Sequence, residues 1–347
     1  MVPAVSLSVY IAARRRAAFV DRSDRGRLVV SGTERAPYLQ GLLTNDVAAL
    51  SAGHGCYAAY LTAQGRMIAD LYVYELGDVM LLMMDGGVND AVMTRLDQFI
   101  FSEDVQLGDV TGTFAQLAVV GPDAAEVVAA ALAGVAADVL KTLPEHGNVR
   151  IDWRGGAAIV TRVTDTGEPG YDVYVERAQA AALKSALAAA DVPGMDEVTA
   201  ETLRIEAGVP RFGRDMDEET IPLEAGIESR AISFTKGCYV GQEVIIRVLH
   251  RGHGRVARRL VGIVLEGGAA PAAGMHILAG DREIGAVTSS TMSPALERPI
   301  ALGYVHRDFV APGTKVMVGG TSGDVTSVPF VAPPSGIASA SSEDGTT

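Results

Sequence analysis

The chain has 347 residues, 48% of them apolar, and a formal charge of -13. That length exceeds a single small core and predicts two or three domains. The acidic balance excludes nucleic-acid binding by the whole surface and leaves only local basic patches to consider.

Residues 1–20 read as a loosely held N-terminal extension. Arg14-Arg15-Arg16 follows a short mixed stretch, the reverse of the charge-then-apolar order of a secretory leader. A strand is expected over Gly26–Ser31, then a helix through Pro37, Leu39, Leu42 and Leu43 that ends near Thr44-Asn45-Asp46. Strands follow at 56–62, 66–76 and 79–84, then a helix from Val88 to Phe101. A second α/β unit begins near residue 112 with a strand at Gln116–Val120 and an alanine-rich helix. The apolar run Val127 to Leu140 is broken by Asp138 and reads as globular helix, so no membrane partner is expected. Strands near 149–153, 157–163 and 171–175 precede helices over 178–190 and from Val198. Residues 208–245 read as a long functional loop region, and short strands after Arg259 as a small all-β module. The stretch Ala332 to Thr347, rich in Pro, Ser and Gly, is expected to be disordered.

Two cysteines, Cys56 and Cys238, make neither a disulfide framework nor a multi-thiolate metal site. Their usage fits a reducing, cytoplasmic setting, with a single Cys56–Cys238 bridge left open. Cys238 lies in Lys236-Gly237-Cys238-Tyr239-Val240-Gly241-Gln242-Glu243. Its neighbours are flexible or charged, and a thiol near Lys236 is a candidate for a lowered pKa, or else a small hydrophobe beside a turn. Asp70 opens an otherwise apolar strand in Gly65-Arg66-Met67-Ile68-Ala69-Asp70-Leu71, where a carboxylate either caps the turn or faces a cavity. Glu168 stands between two glycines in Thr166-Gly167-Glu168-Pro169-Gly170-Tyr171, a hairpin-turn pattern. Arg204 and Glu206 read as a structural ion pair or as part of a cavity wall. Arg247, His250, Arg251, His253, Arg255, Arg258 and Arg259 form the one dense basic segment, suited to carboxylates, to tRNA or to an acidic protein. No metal site is expected from His250 and His253, and no Walker or dinucleotide motif is present.

The octapeptide at Lys236 resembles the defining motif of the YgfZ family, folate-binding proteins linked to iron–sulfur cluster maintenance. The stretches Gly65–Leu71, Arg162–Tyr171, Glu201–Gly208 and Ile221–Ile227 are similar to segments of the glycine cleavage T-protein (aminomethyltransferase) superfamily. The resemblance runs from about residue 20 to 330. It implies an α+β fold: two related α/β units over 21–245 around a central folate cavity, with a C-terminal β-barrel over 246–331 and a tail over 332–347. The implied cofactor is tetrahydrofolate or a one-carbon derivative. Asp70 falls on the T-protein's catalytic aspartate, near the N5/N10 edge. Glu168 matches the pterin-binding glutamate, whose carboxylate would accept two adjacent N–H groups. Tyr171, Arg204, Lys236 and Arg247 join them as ligand-binding candidates. Cys238 becomes a thiol nucleophile, a redox group or a transient iron–sulfur ligand, the last only with a partner chain. Implied partners are iron–sulfur client or assembly proteins, with a weak tRNA contact. The alternatives are a genuine aminomethyltransferase, against which Cys238 and Thr164-Asp165 stand as departures from the family pattern, and a non-catalytic folate sensor.

Overall fold

A computed structural model describes residues 5–250 and 255–332. The chain begins with helix α1 (Leu7–Arg15) and strand β1 (Ala18–Asp21), a tight turn, and then β2 (Gly26–Ser31). Helix α2 (Arg35–Leu42) is followed by β3 (Gly55–Leu61), β4 (Met67–Glu75), β5 (Met80–Met84), α3 (Asn89–Asp97) and β6 (Gln106–Asp109). The second unit holds β7 (Phe114–Val120), α4 (Ala124–Leu132), α5 (Ala137–Thr142), β8 (Asn148–Trp153), β9 (Gly156–Val163), β10 (Gly170–Glu176) and α6 (Ala180–Ala189). Helices α7 (Glu197–Glu206), α8 (Pro222–Ala225), α9 (Glu228–Ala231) and α10 (Gln242–His250) then lead to the barrel. The barrel strands are β11 (Arg258–Leu265), β12 (His276–Ala279), β13 (Arg282–Ser293), β14 (Arg298–His306), β15 (Lys315–Val318) and β16 (Thr321–Thr326).

Two five-stranded sheets, β3-β4-β5-β2-β6 and β1-β7-β10-β9-β8, carry the two units, and the last six strands close into a barrel. Full closure leaves the barrel without an exposed edge. The fold class and the three-part architecture agree with the expectation from sequence.

The N-terminus corrects it. Residues 7–21 are not a loose extension: Tyr10 and Ala13 of α1 are buried, and β1 pairs with β7, Ala18 facing Val120. The amino-terminal segment therefore completes the second sheet before the chain enters the first. The alanine-rich run is also two helices, α4 and α5, because Ala133 adopts φ 51 and stops the first. The expected loop region of 208–245 contains α8 and α9, and α10 starts within it, so Arg247 lies on a helix. The barrel begins at Arg258, later than residue 246. Arg251, His253 and residues 333–347 of the tail lie outside the described residues.

Helix α7 joins the layers. Its first turn is capped by Asp196, whose carboxylate accepts from the Thr199 amide at 2.8 Å. Thr202 and Thr291 of β13 share a hydrogen bond of 2.7 Å, and Arg204 donates to Ser289 of the same strand at 3.0 Å. The β9–β10 turn closes on the end of α7. Gly167 has φ +76, and a Cβ there would lie 2.9 Å from the Ala207 Cβ, so both the conformation and the space require glycine.

Candidate functional site

Strand β1, the β1–β2 turn, the β9–β10 turn and α7 line a wide, open chamber of about 510 Å³. A second, inner chamber of about 40 Å³ lies beside it, walled by Asp70, Tyr72, Met84 and Asp85. Arg25, Asp165, Arg204 and Arg211 line both, so they form the neck between them. The wide chamber falls in the size range of small-molecule sites.

Asp70 reaches the inner chamber from the middle of β4. Alternation along the strand puts its apolar neighbours Ala69 and Leu71 into the core on the opposite face. The Tyr57 hydroxyl, on the paired strand β3, donates to Asp70 at 2.8 Å. Burial raises the Asp70 pKa, and the hydrogen bond from Tyr57 and the charge of Arg25 only partly counter it. The Tyr57 ring carries the Arg230 guanidinium 5.2 Å from its centroid, which fixes the tyrosine behind the carboxylate.

The charges of the wide chamber balance: five arginines (Arg22, Arg25, Arg177, Arg204, Arg211) face five carboxylates (Asp21, Asp24, Asp165, Glu197, Glu201). Most are already paired. Arg22 donates to Asp165 at 3.0 Å and to Asp172 at 3.2 Å. Burial by itself would raise the Asp165 pKa, yet Arg22 and Arg25 hold it below the usual range. Arg204 binds Glu201 and Asp215, and Arg211 bridges Glu201 and Asp85.

The structure brings together only some of the residues singled out from sequence. Asp70 and Arg204 meet at the inner chamber, although Arg204 has its donors committed to Glu201, Asp215, Ser289 and the Val209 carbonyl. Glu168 turns away. It does not line either chamber, is 1% exposed, and is ion-paired with Arg14 of α1, which also binds Glu206. Tyr10 and Ser293 add hydroxyl donors to Glu206. Burial raises the Glu168 pKa against the opposing pull of Arg14. Its Oε1 is held by Arg14 under the β9–β10 turn, and its Oε2 is buried without a hydrogen-bond partner among the described residues. Tyr171 is buried in the second core, its hydroxyl donating to the Leu140 carbonyl at 3.0 Å.

Lys236 is bound to protein. Its ammonium donates to the carbonyls of Gln40, Leu43 and Asn45 at 2.6–2.8 Å, so it holds the end of α2 instead of facing Cys238. Burial draws its pKa down to about 8, which still leaves it protonated at neutral pH. Both cysteines are free thiols: Cys238 is exposed, while burial pushes Cys56 up to about 12. The second glycine of the octapeptide, Gly241, has φ +86, and a Cβ there would meet the Thr62 carbonyl at 2.5 Å. The motif thus clamps the Cys238 loop onto the β3–β4 turn. Cys238 lies on this outer loop and lines neither chamber, and Arg247 is exposed on α10.

Three charged residues at or behind the chambers carry no motif in the sequence. Arg25 and Arg22 sit in the charged turn Asp21-Arg22-Ser23-Asp24-Arg25, whose density between two strands was the available signal. Asp172 is fully buried at the centre of β10, accepting from Arg22 and from Gln116 at 2.9 Å. A lone carboxylate amid Tyr171, Val173 and Val175 marked it.

Residues 8–236 match the family model described as the GCVT N-terminal domain, and residues 258–334 match the glycine cleavage T-protein C-terminal barrel domain. The chain belongs to the glycine cleavage T-protein family. A relative named aminomethyltransferase from Rubrobacter xylanophilus is 34% identical over 294 residues, 85% of this chain and 77% of that protein. Another of that name from Streptomyces coelicolor is 32% identical over 312 residues, 88% of this chain and 82% of its own. Among solved structures, the glycine cleavage system aminomethyltransferase T from Bartonella henselae superposes with a TM-score of 0.83 at 25% identity, covering 94% of this chain and 90% of that one. The T-protein barrel and both sheets are therefore shared. Among the described residues no group of histidine, cysteine and carboxylates could hold a metal ion, and no helix is long and apolar enough to cross a membrane.

Proposed function

We propose that this T-protein family member binds tetrahydrofolate in the wide chamber and transfers a one-carbon unit there, in the manner of an aminomethyltransferase. The observation that carries the reading is Asp70: a carboxylate of raised pKa, held by Tyr57 in a small inner chamber that shares four lining residues with the ligand-sized one. The names of the relatives support the same reading. The two chambers together offer a reduced folate a carboxylate acceptor at Asp70, the Arg25 guanidinium between them and the half-buried Tyr72 ring. Asp70 and the neck residues Arg25 and Asp165 would hold the pterin. When bound, tetrahydrofolate supplies the two nitrogens that take up the one-carbon unit. Asp70 is placed to take or hold the proton that such a nitrogen gives up, and its raised pKa keeps it basic enough to do so.

The test is formation of methylenetetrahydrofolate and ammonia from tetrahydrofolate and an aminomethyl-lipoyl carrier protein. Wild type should form both in equal amounts and Asp70→Asn should not. Tetrahydrofolate binding with no product from any aminomethylated carrier would overturn the transfer and leave a binding protein.

A second reading has one observation in its favour. The exposed Cys238 thiol sits on a loop anchored by Lys236 and Gly241, as a reactive group for a protein partner would. It supports a YgfZ-like role in assembly or repair of iron–sulfur enzymes. Its test is complementation of a deletion strain: iron–sulfur enzyme activity restored by wild type and not by Cys238→Ala supports it, and equal restoration removes it.

A further inference from the structure

The inner chamber has room for about 40 Å³, little more than one water molecule. Asp70 lines this space and not the wide chamber. A ring system entering from the wide chamber therefore reaches Asp70 only if a side chain between the two spaces moves. Four stand there: Arg25, Asp165, Arg204 and Arg211. They are held differently. Arg204 is fixed by both oxygens of Glu201, by Asp215, by Ser289 and by the Val209 carbonyl. Asp165 is fixed by Arg22 at 3.0 Å, and Arg25 is paired with Asp165 at 3.7 Å. Arg211 crosses from wall to wall. One of its nitrogens donates to Asp85, just after β5, at 3.0 Å, and another to Glu201 of α7 at 3.2 Å. Of the four, only Arg211 ion-pairs the first unit to α7.

The two ends of that bridge are unequal. Glu201 is also gripped by Arg204 at 2.9 Å, so the α7 end is anchored. Besides Arg211, the Asp85 side chain has only the Gly87 amide, on its other oxygen, among the described residues. The Arg211 backbone is fixed too. Its carbonyl accepts from the amides of Arg214, Asp215 and Met216, and its amide donates to Asp215. What can move is the guanidinium. The Arg211 side chain is 25% exposed and that of Asp85 27%, and an ion pair wet to that extent is weak enough to break and re-form. We propose that Arg211 is a latch on the inner chamber: paired with Asp85 it keeps ligand from Asp70, and released from Asp85 it stays on Glu201 and lets the two spaces join. The proposal rests on the folate reading above only for which ligand passes, and it adds a gate on entry. A ligand lying across both spaces holds the latch open, so the latch sets the rate of entry and not the rate of departure.

Two measurements test it, and the first needs no folate. Asp70 is labelled with a water-soluble carbodiimide and a small amine, and the modification is followed by mass spectrometry. Asp85→Asn, which keeps an oxygen for the Gly87 amide and loses the charge, should speed the labelling about two- to five-fold over wild type, and so should Arg211→Met. In anaerobic stopped flow the same variants should raise the association rate of tetrahydrofolate by the same factor and leave its dissociation rate within about two-fold of wild type. Equal labelling in all three proteins would overturn the latch whatever the ligand. Faster dissociation with unchanged association would overturn it as well, by making Arg211 a ligand contact. Faster labelling in the variants with no tetrahydrofolate bound by wild type would support the latch and overturn the folate reading alone.

Discussion

Two buried clusters of arginine and carboxylate lie in this protein, and they do different work. In the first, Arg14 of α1 sits between Glu168 and Glu206, with hydroxyls from Tyr10 and Ser293 closing the space around Glu206. In the second, Arg25 and Asp165 line both neighbouring chambers and Asp70 lines the inner one, with Arg25 3.7 Å from Asp165. The residue types are alike. What separates them is position: the first cluster lines neither chamber and ties α1, the β9–β10 turn and the barrel together, whereas the second borders the chambers. Of the two carboxylates singled out from sequence, Asp70 faces a chamber and Glu168 faces Arg14.

The comparison can be broken most sharply at Asp70. Asp70→Asn should lower one-carbon transfer by about 10²–10⁴-fold, measured as product formed per turnover assay, because the proton acceptor is gone. The same variant should keep or slightly raise stability in denaturant unfolding at pH 7. Burial disfavours the ionised carboxylate, and the neutral amide can still accept from Tyr57.

Arg14→Met should do the converse. It leaves Glu168 and Glu206 buried without their cation, a loss of about 3–5 kcal/mol by denaturant unfolding, while the folded fraction still binds tetrahydrofolate. Stability unchanged within about 1 kcal/mol would show that the cluster is not the support described here.

The pH dependence separates the clusters again. Asp70 must be ionised to accept a proton, and its folded pKa is raised, so transfer should fall as pH drops through a value above the ordinary aspartate range. That acid limb should be absent from the residual activity of Asp70→Asn. A limb at the ordinary value in wild type would mean that Asp70 is not buried in the working state.

The smallest effect is expected at the outer loop. Lys236→Met removes three hydrogen bonds to the end of α2 and should speed amide exchange across residues 233–241, with transfer activity within about two-fold of wild type. Alkylation at pH 7.5 should modify Cys238 and spare Cys56, whose thiol is pushed up to about 12.

Much of this was legible before the structure. A strand was read over Gly26–Ser31, Tyr72, Val73 and Tyr74 marked β4, and Asp70 stood out as an acid in the apolar first half of that strand. The support cluster was not legible, because Arg14 meets partners 154 and 192 residues away and a run of three arginines reads as solvated. Helix α10 was obscured for a local reason. Its apolar positions Ile245, Val248 and Leu249 follow directly on a glycine-containing motif, and their packing against Tyr57 and Met67 is a tertiary fact. Lys236 looked free to act on Cys238 because its acceptors, the carbonyls at the end of α2, carry no signature in sequence.

The central claim is that the ligand is held at Asp70 and not at Glu168. Anaerobic calorimetry of tetrahydrofolate with wild type, Asp70→Asn and Glu168→Gln tests it directly. The account predicts binding to wild type, weakening of at least about ten-fold in Asp70→Asn, and an affinity within about three-fold of wild type in Glu168→Gln, whose amide oxygen can still accept from Arg14. Binding abolished by Glu168→Gln and unchanged by Asp70→Asn would contradict it.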